Sequence, residues 1–329
     1  MNEIELAPVV LFVYNRPWHT QQTVEALKKN ELANESELFI YSDAPKNKQA
    51  IEHVAEVRAY IKKIEGFKKV MVIEREKNCG LANSIINGVT KIVNGYGKAI
   101  VLEDDLVTSP YFLQYMNNGL KFYQENQEIM SISGYNLPPT CMKFPKNFTD
   151  DVYLNYRNSS WGWATWANRW NLVDWDVKDF KQFIGDPKQQ KLFNRGGDDL
   201  TDMLKAQMEG KIDSWAIRFS YAHFKQQMYS VHPRYSYVDN IGIDGTGTHC
   251  GVTNIFENDV SKAKRTCNFV KDIKLREDVM LEFEKFYRKY SKEPLAVRGI
   301  NKLLRVLGHG CELLKTRIDK NFLHFFQIR

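Results

Sequence analysis

The chain has 329 residues, of which 43% are hydrophobic and 26% are charged, and its formal net charge at pH 7 is +6. This composition is ordinary for a globular protein with a buried core, and it excludes disordered, collagen-like, coiled-coil and mucin-like chains. Positions 298–329 contain seven Lys or Arg and two Asp or Glu, a net charge of +5. Because nucleic-acid-binding proteins more often spread basic residues over a whole face, we expect no nucleic-acid partner.

The first 105 residues alternate between short apolar runs and amphipathic segments. The pattern predicts strands at 9–14, 38–41, 70–73 and 99–102, and helices at 20–30, 51–64 and 81–93. Such alternation implies a parallel sheet with right-handed crossovers. Polar residues follow three of the strands, namely Asn15-Arg16, Ser42-Asp43 and Glu103-Asp104-Asp105. We expect these clusters to meet at the carboxyl edge of the sheet, where α/β proteins bind their ligands.

The second part of the chain has a different pattern. It predicts a helix over 110–125, a short strand over 130–133, and a helical stretch over 180–210 that is broken at Gly196-Gly197. Five tryptophans lie between positions 161 and 175, and most of them should be core residues. The glycine-rich segment 239–251 is expected to be a mobile loop.

The acidic triplet Glu103-Asp104-Asp105 is the sharpest chemical signal in the sequence. Three adjacent carboxylates repel each other unless a cation or hydrogen bonds compensate. Mg²⁺ and Mn²⁺ bind carboxylate oxygens and commonly take substrate phosphates as further ligands. A solvated acidic turn is the alternative. Neither a phosphate-binding loop of the G-x-x-x-x-G-K-[ST] type nor a G-x-G-x-x-G follows the first strand, which disfavours P-loop enzymes and dinucleotide oxidoreductases.

Four motifs together resemble the nucleotide-sugar glycosyltransferases of GT-A fold, particularly N-acetylglucosaminyltransferase I and bacterial family-2-like sugar transferases. They are Asn15-Arg16-Pro17, Ser42-Asp43, the helix start from Asn78 to Ser84, and Val101-Leu102-Glu103-Asp104-Asp105; Trp161-Gly162-Trp163 adds a later likeness. The resemblance implies an α/β, Rossmann-like GT-A fold with a mixed, mainly parallel sheet flanked by helices. It implies a glycosyltransferase domain over 1–255, divided into a nucleotide-binding half (1–107) and an acceptor-binding half (108–255).

The resemblance also implies site residues. Asp105 would ligate Mn²⁺ or Mg²⁺, and His249 could add a metal or phosphate contact, although a lone loop histidine is more often solvated. The remaining candidates for the nucleotide-sugar site are Arg16, Asp43 (at the uracil), Ser84, Glu103, Asp104, Trp161, Gly162, Trp163, Trp215 and Thr248. The glycine-rich loop is expected to order over the diphosphate, because backbone amides next to glycine can cradle phosphate.

Asp213 is the candidate catalytic base, because Ile212-Asp213-Ser214-Trp215 matches the place where the family holds an acid beside a tryptophan. The family often has two acids there, whereas this chain has Ser214 at the second position. The competing interpretation of Asp213 is a helix N-cap. Asp198-Asp199 could face the acceptor, although a helix start is the commoner role for such a pair.

The C-terminal extension, 256–329, is expected to be helical and basic. Apolar residues recur at three-, four- or seven-residue intervals from Ile300 to Phe325, and basic residues lie between them. That pattern suits an anionic membrane surface through 298–329, or packing on the domain or on a partner. Five cysteines without metal-ligand spacing indicate free thiols in a reducing compartment. We therefore expect a cytoplasmic protein, with peripheral contact at the inner face of the membrane.

The expected activity is a metal-dependent, inverting transfer of a sugar from a nucleotide diphosphate, such as UDP-N-acetylglucosamine, to a glycan or lipid-linked acceptor in surface polysaccharide synthesis. Three alternatives stay open at this point. A glycoside hydrolase would need two carboxylates about 5–10 Å apart and no metal. A scaffold protein of a polysaccharide assembly would not bind nucleotide. A nucleotidyltransferase would normally carry a glycine-rich segment after the first strand.

Overall fold

The computed structural model describes residues 5–246 and 253–291. Its strands are β1 (Val9–Val13), β2 (Glu37–Ser42), β3 (Lys69–Glu74), β4 (Lys98–Glu103), β5 (Leu106–Thr108), β6 (Ile129–Ser133), β7 (Val152–Asn155), β8 (Trp163–Trp166), β9 (Tyr229–Pro233) and β10 (Val238–Asn240). Its α-helices are α1 (Pro17–Lys28), α2 (Ile51–Ile61), α3 (Leu81–Tyr96), α4 (Phe112–Phe122), α5 (Ala167–Trp170), α6 (Phe180–Ile184), α7 (Pro187–Phe193), α8 (Leu200–Met208), α9 (Trp215–Gln226) and α10 (Glu277–Ser291). Short 3₁₀ helices cover Ala33–Glu35, Lys48–Ala50, Asn194–Gly196 and Val260–Lys262.

The central sheet is mixed and mainly parallel. Within the described residues it has eight strands in the order β3-β2-β1-β4-β8-β6-β9-β7. The strands β3, β2, β1 and β4 are mutually parallel, as are β6 and β9, whereas β8 and β7 run antiparallel to their neighbours. A second, two-stranded antiparallel ribbon joins β5 to β10. The mixed sheet flanked by helices that the sequence predicted is confirmed.

Each face of the sheet carries its own hydrophobic core, because successive side chains of a strand point to opposite faces. Along β1, Val9, Leu11 and Val13 enter the core that holds α1, α2 and α4, while Val10 and Phe12 enter the one that holds α3 and α9. Both faces of β1 are therefore covered, which explains why this strand reads as a continuous apolar run. The sheet is thus packed on both faces, and this packing fixes the positions from which the residues at its carboxyl edge extend.

The predicted order of strands and helices in the first 105 residues is confirmed, with the ends of elements shifted by a few residues. The predicted helical stretch over 180–210 is interrupted twice. The first break is at Gly185-Asp186, where Asp186 caps α7 by accepting from Lys188 N at 2.9 Å and Pro187 occupies the first helical position. Pro is favoured there because it lacks the N–H that a first turn leaves unpaired. The second break is the predicted one, at the 3₁₀ turn Asn194–Gly196.

The described part of the C-terminal extension packs on the domain. In α10 the side chains of Val279, Phe283 and Phe286 are buried in the same core as α4 and α8. Among the described residues no helix combines the length and the apolar character needed to cross a bilayer. The basic amphipathic segment 298–329 lies outside the described residues, so its predicted membrane contact stays a prediction, as does the predicted division into domains.

Candidate active site

Polar side chains meet at the carboxyl ends of β2, β1 and β4, which are neighbours in the sheet. Asp43 follows β2, and its backbone N–H donates to Val13 O of β1 at 3.2 Å. Asp104 follows β4, and its Oδ2 accepts from Tyr14 N at 3.3 Å. The three polar clusters that follow these strands thus share one edge, at the position where open α/β sheets bind ligands.

An ion pair between Arg16 and Asp105 lies at the centre of this edge. Arg16 Nη1 donates to Asp105 Oδ2 at 2.9 Å, and the Asp105 side chain is only 1% exposed. The glycine-rich segment completes the cluster, since Arg16 Nη2 also donates to Thr246 Oγ1 at 3.2 Å and lies 3.5 Å from Asp244 Oδ1. Asp105 O accepts from Ile241 N at 3.0 Å, so the segment is tied to the acidic motif through its backbone as well.

Asp244 and His19 extend the charged cluster. His19 Nε2 lies 3.0 Å from Asp244 Oδ2. Burial, followed by the positive charge of Arg16, lowers the pKa of His19 below its usual value. Burial alone would raise the pKa of Asp244, but hydrogen bonds from Thr246 and then the charges of His19 and Arg16 outweigh it and lower that pKa. The guanidinium of Arg16 therefore lies within 3.5 Å of two carboxylates, those of Asp105 and Asp244.

Asp43 organises the loop that leads into α3. Its carboxylate accepts from Ala44 N at 2.9 Å, from Cys79 N at 3.0 and 3.1 Å, and from Gly80 N at 3.2 Å. Arg58 braces the same corner, because its Nη2 donates to Arg75 O at 2.8 Å and its Nε donates to Ser42 Oγ at 3.2 Å. A carboxylate has about four acceptor positions, and these three amide donors already make four contacts, two on each oxygen.

Asp213 lies across Gly80 from Asp43. A β-carbon placed on Gly80 would stand 3.3 Å from Asp213 Oδ2, and Gly80 itself has a positive φ of 75°. The N-cap of α9 is Ser214, whose hydroxyl accepts from Ile217 N at 3.3 Å. The alternative in which Asp213 caps the helix is therefore wrong, and its carboxylate is exposed at the edge of the site.

The tryptophans of the predicted sugar site lie in the core. Trp163 and Trp215 are each 1% exposed and stack on each other with ring centroids 4.8 Å apart. Trp161 is buried against Tyr135, edge to face at 4.4 Å. Gly162 has a φ of 62° and lies so close to Val238 that a β-carbon would be 2.8 Å from its Cγ2. These placements favour packing roles for Trp163 and Trp215, because neither ring offers a face to a sugar.

The other predicted residues divide into two groups. Glu103 ends β4 and Ser84 lies in the first turn of α3, and both are buried. Arg75 Nη2 donates to Ser84 O at 3.1 Å, which joins that turn to the Asp43 corner. Thr248 and His249 lie outside the described residues, so their predicted roles stay predictions.

The acidic motif offers the type of ligand atom that a hard cation binds, but too few of these atoms to complete a coordination shell. Asp104 and Asp105 supply carboxylate oxygens, which Mg²⁺ and Mn²⁺ prefer. Across 5–246 and 253–291, however, no three His, Cys, Asp or Glu side chains gather as a ligand set. Arg16 also already neutralises Asp105 at 2.9 Å. A cation here would thus depend on phosphate oxygens for most of its ligands, which is a common mode for these ions.

Two residues of the cluster were not singled out by the sequence. His19 lies in the first turn of α1, where Pro17 starts the helix directly after the polar end of β1, and that position could have indicated it. Gly242 approaches Asp105 so closely that a β-carbon would be 2.0 Å from Oδ2, and no sequence pattern distinguishes it from the other glycines of its segment.

Comparison with known proteins gives only remote likenesses. No family model matches the chain, and no curated protein matches it. Among solved structures, Staphylococcus aureus TarS 1-349 in complex with UDP has 12% identity and a TM-score of 0.41, and the match covers 98% of this chain and 90% of that one. A Pyrobaculum calidifontis mannosyltransferase, PcManGT, in complex with GDP-Man and Mn²⁺ has 12% identity and a TM-score of 0.33.

The match to the mannosyltransferase covers 49% of this chain and only 45% of that one. A UDP-glucose pyrophosphorylase complexed with UDP-glucose is also similar, with 11% identity, a TM-score of 0.35, and coverage of 70% of this chain and 91% of that one. Likenesses this remote do not specify a reaction.

Proposed function

We propose that this protein is a glycosyltransferase that moves a sugar from a nucleotide diphosphate donor to a hydroxyl group of a glycan or lipid-linked acceptor, in the synthesis of a surface polysaccharide. One observation carries the proposal: Arg16 and Asp105 pair at 2.9 Å where the neighbouring parallel strands β1 and β4 end. A guanidinium at this edge is the group that recognises phosphate with charge-assisted hydrogen bonds.

The donor is expected to lie with its base near Asp43 and its diphosphate near Arg16. The resemblance implies that Asp43 accepts from the imide of uracil, which would share a carboxylate oxygen with the amides of Ala44, Cys79 and Gly80. UDP-sugars, UDP-N-acetylglucosamine among them, are therefore the first donors to test. The resemblance to N-acetylglucosaminyltransferase I is part of this proposal. Glu103, Asp104 and Ser84 would surround the donor without each having an assigned contact.

A divalent cation is the second part of the proposal. Asp105 would hold Mn²⁺ or Mg²⁺, with His249 and Thr248 near the same phosphates. Such an ion would neutralise charge on the departing diphosphate, a contribution of several kcal/mol in metal-assisted transfer. The oxygen ligands of the acidic motif support this assignment, while the existing pair with Arg16 means that the protein itself supplies one positive charge.

Asp213 is proposed as the base. Asp213 is exposed beside Gly80, and Ser214, not Asp213, is the N-cap of α9. Its carboxylate would accept the proton of the acceptor hydroxyl as the hydroxyl oxygen bonds to the anomeric carbon and the bond from that carbon to the diphosphate oxygen breaks. A single displacement of this kind inverts the anomeric centre. General-base catalysis is typically worth about 10²–10⁴ in rate.

Donor binding is tested by thermal unfolding with UDP-sugars and GDP-sugars, in Mn²⁺ and in EDTA. A ligand at about 100 times its dissociation constant stabilises the folded state by ~2.7 kcal/mol, so a true donor raises the melting temperature. Arg16→Ala should lose this rise. Arg265→Ala is the matched control, because Arg265 is 70% exposed and pairs only on the surface with Glu31. If no nucleotide sugar raises the melting temperature, or if both variants respond equally, the proposal fails.

The cellular location follows the same proposal. We expect a cytoplasmic enzyme that meets the inner face of the membrane through the basic segment 298–329, where a lipid-linked acceptor would be available. Co-sedimentation of the full chain with vesicles of anionic and of neutral lipid tests this. Binding to anionic vesicles that vanishes at high salt is the expected result.

A further inference from the structure

A pocket of about 80 Å³ lies between the first turn of α9, the segment 157–161 and α10. Ala216 and Ile217 of α9 line it, so the pocket begins less than one helical turn from Asp213. A single water needs about 10–15 Å³ of such space, so a group of several heavy atoms fits. The pocket is distinct from the cluster around Arg16, since none of that cluster's residues line it.

The walls of the pocket combine apolar and polar side chains. The indole of Trp161, with Met203, Phe256 and Phe283, supplies apolar surface. Polar groups are contributed by Asn158, Ser159 and Ser160. Apolar walls with a few placed polar groups are typical of sites for small organic ligands, and sugars in particular present both C–H and O–H surfaces.

Among the described residues that line the pocket, none carries an uncompensated charge at neutral pH. Its one guanidinium, Arg157, is held by Asp199, with Nη1 at 2.8 and 3.0 Å from the two carboxylate oxygens, and it lies 4.4 Å over the Tyr287 ring. Its one imidazole, His232, donates to Arg157 O at 3.0 Å. Burial lowers the pKa of His232 to about 4, so this ring is neutral. These described walls disfavour a phosphate or carboxylate ligand, because their one guanidinium is already paired with Asp199.

Asn158 supplies a second, independent sign of a ligand. Its side chain is 6% exposed, and its Oδ1 accepts from the Ser220 hydroxyl. Within the part of the chain that the structure describes, the other end of this amide, Nδ2, is buried and has no hydrogen-bond partner. A buried donor left unpaired costs free energy. Because Asn158 lines the pocket, a small shift of its amide would let Nδ2 pair with an acceptor oxygen of a ligand there.

We infer that this pocket is an acceptor subsite that binds an uncharged sugar residue, with a hydroxyl or acylamino oxygen accepting from Asn158 Nδ2. This inference extends the glycosyltransferase proposal. The assignment of the bound sugar as an acceptor rests on that proposal. The inference names the class of acceptor as a neutral glycan residue. The position next to the first turn of α9 would hold such a residue close to the Asp213 carboxylate.

Saturation-transfer NMR with the full chain and no nucleotide tests the subsite directly. The probes are methyl glucoside, methyl N-acetylglucosaminide and, as an anionic comparison, glycerol phosphate. At least one neutral glycoside should receive saturation and bind more tightly than glycerol phosphate. Asn158→Ala should weaken that binding by roughly tenfold, the effect of losing one hydrogen bond at a buried donor. Asn34→Ala is the matched control, because Asn34 is an exposed residue of the first half.

A second variant tests the subsite independently in case Asn158→Ala fails to fold. Ala216→Leu adds three carbon atoms to the wall while keeping a good helix former in α9, and it should also abolish glycoside binding. Circular dichroism and the melting temperature establish that each variant folds. Equal binding of glycosides by wild type, Asn158→Ala and Ala216→Leu overturns the inference, as does preference for glycerol phosphate or lack of saturation transfer to every neutral glycoside.

The outcome is separable from that of the donor proposal. Arg16→Ala should lose the melting-temperature rise with nucleotide sugar yet keep glycoside binding. Asn158→Ala should show the reverse pattern. If nucleotide sugars bind but no glycoside does, the subsite is wrong and the transferase proposal stands. If glycosides bind through Asn158 while no nucleotide sugar does, the pocket is a sugar site of a protein that is not this transferase.

Discussion

Gly242 lies against the carboxylate of Asp105 so closely that a β-carbon at position 242 would stand 2.0 Å from Oδ2. The same β-carbon would be 2.8 Å from Arg16 Nη1. No side chain can occupy this space without movement of either the backbone or the ion pair. The glycine-rich segment therefore approaches the acidic motif this closely because residue 242 has no side chain.

Gly242→Ala should damage the site more than the fold. The added methyl group forces the Arg16–Asp105 pair or the backbone to shift, and overpacking of this kind costs about 1–3 kcal/mol. Donor binding by calorimetry should fall at least tenfold. Gly95→Ala is the control: no atom lies within 4 Å of a β-carbon there, and the residue is in α3. That variant should be stabilised by about 0.5–1 kcal/mol with donor binding unchanged. Equal behaviour of the two variants would contradict the close approach.

Asp213→Asn should separate transfer from donor binding. Removing the base should lower turnover by about 10²–10⁴ while the affinity for nucleotide sugar stays within a few fold. Turnover is followed as nucleoside diphosphate released per enzyme. A variant that retains wild-type turnover would remove Asp213 from the mechanism.

Ser214→Ala gives the matching structural control. Loss of the N-cap that accepts from Ile217 N should cost about 1 kcal/mol of folding stability. Turnover measured well below the melting temperature should stay close to wild type, because the cap holds the helix and not the acceptor. A loss of turnover as large as that of Asp213→Asn would mean that the geometry of this turn, and not the carboxylate, controls the reaction.

Acid should destabilise the protein through its buried histidines. Burial lowers the pKa of His223 and of His232 to about 4 each, whereas an unfolded histidine titrates near 6.5. Between these values the unfolded state binds more protons, so stability rises with pH from 4 to 6.5 and falls as the solution is acidified. The two histidines together should contribute a loss of a few kcal/mol across this window.

His223→Gln tests that assignment. His223 Nε2 lies 2.9 Å from Ser131 Oγ, and glutamine offers the hydrogen-bonding atoms without the titration. Urea unfolding between pH 4 and 7 should show a slope against pH that is smaller by about one proton in the variant. An unchanged slope would show that His223 is charged in both states or in neither.

The burial of Trp163 predicts a structural phenotype. Trp163→Ala should cost about 3–5 kcal/mol of stability, because the ring packs between Trp170 and Trp215. Trp18→Ala, at a position that is 57% exposed, should cost far less. Thermal unfolding measures both. If Trp163→Ala keeps its stability and loses affinity for the donor sugar, the ring belongs to the sugar site after all.

The first half of the fold could be predicted because its strands are parallel and buried on both faces. Each such strand is a continuous apolar run, as Val9–Val13 is, and each run is followed by a helix of clear period. In the second half, β7 and β8 are four residues each, which is too short for a hydrophobic period to distinguish strand from helix. Their structure depends on pairing with strands that are distant in sequence, and the local sequence does not predict that pairing.

The residues of the site also differ in whether the sequence could predict their positions. Residues that directly follow a parallel strand, such as Arg16, Asp43 and Asp105, could be placed at one edge from topology alone. The pocket around Asn158 could not, since segment 157–161, α8, α9 and α10 meet there through long-range packing. Trp163 and Trp215 were predicted at the sugar, and their mutual stacking at 4.8 Å is a tertiary contact that residue type does not reveal.

The reaction class is tested most directly by ³¹P NMR of a nucleotide sugar incubated with the protein, Mg²⁺ and a neutral glycan acceptor, because diamagnetic Mg²⁺ leaves the phosphate signals sharp. Transfer by Asp213 with the diphosphate held at Arg16 predicts that nucleoside diphosphate appears only when acceptor is present and in equal amount to the glycosylated product. Formation of sugar phosphate or pyrophosphate in place of nucleoside diphosphate would contradict the account, because it would put the broken bond within the diphosphate and not at the sugar.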